Sequence, residues 1–198
     1  MSEKQEIKFP FSEAFRFSLE SIRRRFTRAL ITVVSVVLGI AFLVALLTMA
    51  DITIALNPGS EGEALPAYQL WMAVIALLVC GVGIVNSMLM SITERYKEIG
   101  TIKCLGAMDR HVLELFLIES CVLGFLGGLL GSVTGWGAAL GIFYINEGRP
   151  EVIGAALASF RWVAYAILIS VILSFLASVV PAYIAAKLNP AEALRYEV

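Results

Sequence analysis

Of the 198 residues, 59% are hydrophobic and 16% charged, whereas a soluble domain is about half apolar and about a quarter charged; the composition excludes a water-soluble fold and indicates an integral membrane protein. The net charge of −1 says nothing of nucleic acid, because the basic residues are placed as topology signals, and no nucleic-acid partner is expected. Cys80, Cys104 and Cys121 form no CxxC pair, which argues against a disulfide framework or a zinc site and leaves reduced or buried thiols.

Residues 1–28 form a polar arm in which Phe11, Phe15, Leu19, Ile22 and Phe26 fall at spacings of four, four, three and four. Charged residues lie between them, the pattern of an amphipathic helix along the membrane surface. It reads either as a simple anchor or as an elbow that packs on neighbouring spans. Four apolar runs follow, residues 29–50, 70–92, 112–145 and 162–184, each long enough for a hydrocarbon core that takes about 20 helical residues to cross. The first lies behind a long polar arm and reads as a signal anchor that stays. None alternates polar and apolar as barrel strands do.

Residues 51–69 carry the turn signals Asn57-Pro58-Gly59-Ser60 and the acidic pair Glu61 and Glu63, so a short extracytoplasmic loop is expected there. In the second span Asn86 carries an amide, and interhelical hydrogen bonding is its expected role. The connection 93–111 is rich in charge, yet Ile92, Tyr96, Ile99 and Ile102 recur at helical spacing. The helix leaving the membrane therefore continues as an amphipathic one. His111, alone beside Arg110, suits a solvated cap position.

The third span is dense in glycine. Gly127, Gly131 and Gly135 stand four apart and form one smooth stripe, for packing within the subunit or between two subunits. Its 34 residues, at about 1.5 Å each, exceed the bilayer core, so the first turns lie outside the hydrocarbon and a bend is expected at Gly127-Gly128. Glu119 sits near that boundary. An intramembrane carboxylate marks function by default, but here a structural bond to Arg110, Lys103 or a partner's backbone is the expected role. A second loop, 146–161, leads to the fourth span, which ends at Pro181 with an expected kink. In the tail, 185–198, Asn189, Pro190 and Glu192 make a helix start.

Thirteen of the fifteen Lys and Arg residues fall in the arm, the 93–111 connection and the tail; Arg149 and Arg161 alone lie elsewhere. By the positive-inside rule both termini are cytosolic, in a multi-pass protein of the cell (inner or plasma) membrane. The expected fold is all-α: four transmembrane helices, an N-terminal amphipathic helix, a cytosolic helix between spans two and three, and a short C-terminal cytosolic helix.

Two runs carry a resemblance. Ser91 to Ala107, SITERYKEIGTIKCLGA, and Pro181 to Glu197, PAYIAAKLNPAEALRYE, resemble the FtsX-like and MacB-type permeases of ATP-binding-cassette (ABC) systems. The likeness covers residues 70–198 well and 18–46 loosely. It implies a separate cytosolic ABC ATPase, carrying ATP and Mg, that docks on this segment in each of two permease copies or homologues. Glu94, Arg95, Lys97 and Glu98 would touch it; Gly100 and Gly106 would allow close approach and the turn back. The motion would pass into the second span. No G-x-x-x-x-G-K-[ST] loop occurs in the sequence, so this chain is not expected to be an enzyme or to bind a cofactor itself. The large extracytoplasmic domain usual in such permeases has no counterpart in residues 51–69. Either a companion extracytoplasmic subunit supplies that part, or the spans handle an amphipathic or lipid-like substrate themselves. A non-transporting transducer and an ATPase-independent scaffold are the rival readings.

Overall fold

A computed structural model describes residues 26–56, 67–147 and 159–189. Five helices make up the described fold: α1 Phe26–Leu56, α2 Ala67–Glu94, α3 Tyr96–Cys104, α4 Asp109–Glu147 and α5 Arg161–Ala186. All except α3 are long and apolar enough to cross a membrane. The surface-helix reading of the arm, the turns of both loops and the C-terminal helix from Pro190 onward lie outside the described residues. The end of the bundle carrying α3 is called here the basic end, and the opposite one the far end.

Helix α4 is central because two of its faces lack bulk. On one face a Cβ on Gly127 would stand 2.6 Å from Val36 Cγ1, one on Gly131 would stand 2.8 Å from the Val37 carbonyl oxygen, and one on Gly135 would strike the Ala41 backbone. The stripe is thus an intrasubunit seam against α1. On the adjacent face Gly128 meets Ser170 and Gly124 meets Ser174 of α5, where Ser170 Oγ donates to the Gly124 carbonyl at 2.7 Å. Helix α5 answers with small buried residues four apart, Ala166, Ser170, Ser174, Ser178 and Ala182. In lipid, which offers no hydrophobic drive between helices, such close backbone contact holds the bundle together. Gly137 and Gly141 face open space.

Helix α2 joins by a narrow stripe, Cys80, Ile84, Met88 and Ile92. Leu78, Val79 and Val82 on its other side are about two-thirds exposed, as suits side chains bathed in lipid. Helix α4 stays helical through Gly127-Gly128, and both glycines lie in packed seams. One expectation changes, in α1. Helix α1 extends six residues beyond the expected end of the first span, which puts Asp51 on a helix and not in a loop. Hydropathy ends where charge begins, but backbone hydrogen bonding need not.

Candidate functional site

The polar end of α2 stops at Glu94, and Arg95, with φ −96° and ψ 10°, breaks the helix before α3 begins. Nine residues on, α3 ends in a reversal that needs glycine: Gly106 has φ +100°. Its N–H donates to Lys103 O, and the Ala107 N–H donates to Ile102 O, the pair of bonds that defines a Schellman stop. Gly106 thus makes the turn between α3 and α4.

Two cations tie α3 to the spans. The Arg95 guanidinium grips Glu119 on α4 with both terminal nitrogens, at 3.0 and 3.4 Å, and the two side chains are only 6% and 9% exposed. The ring of Phe116 lies 6.0 Å from the guanidinium carbon. Lys103 Nζ donates to the carbonyls of Ala186 and Leu188 at the end of α5, at 2.5 and 3.0 Å. It also pairs with Asp109 at 2.8 Å, so all three ammonium hydrogens have acceptors. Beneath them Met88, Ile92, Ile99, Val112, Phe116, Ala182 and Ala185 form one apolar cluster.

Several sequence expectations change here. Arg95, expected on the docking face beside Glu94, Lys97 and Glu98, points inward instead, because the break at its own position turns the side chain toward Glu119. Glu119 is held by that arginine and not by Arg110 or Lys103; Lys103 is engaged with α5, and Arg110 is exposed. Gly100 is buried on the inner face of α3, next to Ile99. Asn86, expected between helices, lies on the exposed side of α2.

Glu94, Lys97 and Glu98 remain on the outward side. Beside them stand apolar residues: Leu105 is 83% exposed, Met108 51% and Ile102 38%. Just beyond α5, Lys187 lies 4.8 Å from the Tyr183 ring, and the Tyr183 hydroxyl holds its ammonium above the usual lysine range. Within the bundle, a cavity of about 30 Å³ is lined by Thr32, Ser87, Ser91, Glu119, Ser120 and Ser174 among others. It has room for about one or two waters, far short of a ligand pocket.

The far end is tied differently. Asp51 Oδ2 accepts from Trp162 Nε1 at 2.7 Å, Arg161 at 3.1 Å and Ser159 Oγ at 3.4 Å, pinning the end of α1 to the start of α5. The signal that could have found this contact is an acid and an Arg-Trp pair at the same end of two facing spans.

Four spanning helices with a short polar helix bracketed beneath them define a multi-pass α-helical membrane protein. Residues 70–190 match the family model of the FtsX-like permease C-terminal region, and the chain belongs to the FtsX-like permease family. It is similar to the ABC transporter permease YknZ of Bacillus subtilis, 45% identical over 64% of this chain and 30% of that protein. The macrolide export ATP-binding/permease protein MacB of Bdellovibrio bacteriovorus is 42% identical over 75% of this chain and 22% of its own length. The ABC transporter permease MJ1507 of Methanocaldococcus jannaschii is 40% identical over 64% of this chain and 32% of its own. The chain thus spans less than a third of the length of each of these relatives.

Proposed function

We propose that this chain is the membrane permease part of an ABC transporter, in which an ABC ATPase binding ATP and Mg docks on the outward face of α3. The observation that carries this reading is the face itself. Leu105, Met108 and Ile102 stand exposed beside Glu94, Lys97 and Glu98, outside the four apolar spans. Apolar anchors rimmed by charge are what a protein partner buries.

In this reading the basic end and both termini are cytosolic, in the cell membrane, as the positive-inside rule directs. Two copies, or this chain and a homologue, surround the substrate path. The substrate is an amphipathic or lipid-like compound, taken up laterally between the spans of two copies and exported or extracted from the lipid, since a cavity of about 30 Å³ within one chain holds no such molecule. The same small cavity favours a second reading, a transducer that passes ATPase motion to a companion extracytoplasmic subunit. Copurification tests the proposal: in mild detergent and in lipid discs the chain should retain an ABC ATPase whose ATP hydrolysis rises when the chain is present. A stable chain that retains no ATPase under either condition contradicts it.

A further inference from the structure

We propose that α3 forms one rigid body with the basic ends of α4 and α5, and that a push on α3 enters the bundle through Arg95 and Lys103, with α2 bending at Arg95. The transmission half rests on the proposed ATPase docking; the rigid-body half does not.

The load path follows from what holds α3 on each side. Toward α2 the covalent link is a single nonhelical residue, Arg95. Its N–H bonds Ser91 O at 3.3 Å and Ile92 O at 3.1 Å, a backbone joint of the kind that lets two helical pieces change angle. Toward α4 and α5 the restraints are two side-chain brackets, one from Arg95 immediately before α3 and one from Lys103 in its last turn. The Arg95–Glu119 pair is two-pronged and therefore fixes orientation as well as distance. It is also buried, so bulk solvent competes little for it. At the other end, Lys103 ties the last turn of α3 to the final carbonyls of α5, where a cation also favours the helix dipole. Ile99, midway between the brackets, is packed in the cluster with Val112, Phe116, Ala182 and Ala185, which Met88 and Ile92 at the end of α2 also join.

Helix α4 then carries the displacement onward, because its glycine seams lock it to α1 and α5 along the bilayer. Helix α2, attached by its one narrow stripe, is the element left to flex. Arg95 and Glu119 are positioning residues in this arrangement: neither meets the partner, and both set the direction in which α3 moves.

The test needs a variant that removes both members of the bracket together. Arg95→Met with Glu119→Leu does so, because replacing a buried pair by apolar residues of similar volume is often neutral for stability; Lys103→Met serves for the second bracket. Spin labels are placed at the exposed positions Lys97 and Glu114, Lys97 and Lys187, and Lys97 and Met90, in full-length chains in lipid discs with Cys80, Cys104 and Cys121 replaced by alanine. In the parent, the 97–114 and 97–187 distance distributions should be narrower than the 97–90 one. The Arg95→Met/Glu119→Leu chain should broaden 97–114, and Lys103→Met should broaden 97–187. A narrow 97–90 distribution, or brackets whose removal changes nothing, overturns the rigid body.

With the copurified ATPase, each variant should keep its melting temperature and ATPase affinity while stimulated hydrolysis falls about two- to thirty-fold, the range of measured coupling energies. Full stimulation in both variants overturns the load path. A chain that retains no ATPase counts against the proposed function alone, since the label distances still decide the bracket.

Discussion

The two ends of the bundle are each fastened by polar side chains, but in opposite surroundings. At the basic end Arg95 and Glu119 are less than a tenth exposed, whereas at the far end Arg161 is 63% exposed and Asp51 23%. A buried pair that loses one partner leaves a charge with neither water nor a counter-ion, which costs far more than the pair itself contributes. An exposed pair that loses one partner simply returns to water. The basic end is therefore brittle toward single substitutions and the far end tolerant, although both look like ion pairs by distance.

That contrast gives an order of expected effects. Glu119→Ala should destabilise the chain by about 3–5 kcal/mol, because it strands the Arg95 guanidinium under Phe116; thermal unfolding in detergent measures it, and a loss below 1 kcal/mol would remove the distinction between the ends. Gly131→Leu comes next, at about 1–3 kcal/mol, since any side chain there meets the Val37 carbonyl of α1 and the backbone must move. Leu129→Ile, a partly exposed position on the same helix, should change the melting temperature little. Because the seam is internal, Gly131→Leu should lower the stability of the single chain instead of splitting a dimer, which native mass measurement distinguishes. Asp51→Ala is smaller again, about 0.5–1.5 kcal/mol, and its trace should be spectroscopic: a shift in tryptophan fluorescence as the Trp162 N–H loses its acceptor. Smallest in stability is the exchange Lys97→Glu with Glu98→Lys, within about 0.5 kcal/mol because both are exposed. Its expected effect falls on ATPase affinity, read by copurification yield.

Much of this was legible in the sequence, for identifiable reasons. Hydropathy finds spans because lipid tolerates little else, and the recurrence of Ile92, Tyr96 and Ile99 marks α3 because one side of it packs on the bundle, although Ile102 in the same series stays exposed. Gly106 was legible because a left-handed turn favours one residue type. Partner choice was not. Arg95 reads as one of four exposed charges until the helix break at its own position turns it toward an acid 24 residues away. Periodicity does not encode that rotation. The glycine stripe showed that α4 has a smooth face, but the helix against it, α1, is chosen by topology. The serine stripe of α5 was hidden by its polarity, although small side chains four apart carry the same packing meaning whether or not they bear a hydroxyl.

Leu105 offers the most direct measurement of ATPase docking on α3. A photoreactive phenylalanine analogue placed at that position in the full chain, irradiated in native membranes, should give a cross-link that mass spectrometry identifies as an ABC ATPase. The Lys97→Glu/Glu98→Lys exchange should weaken that product. Cross-links confined to lipid, or to a second copy of the chain, would contradict docking on α3.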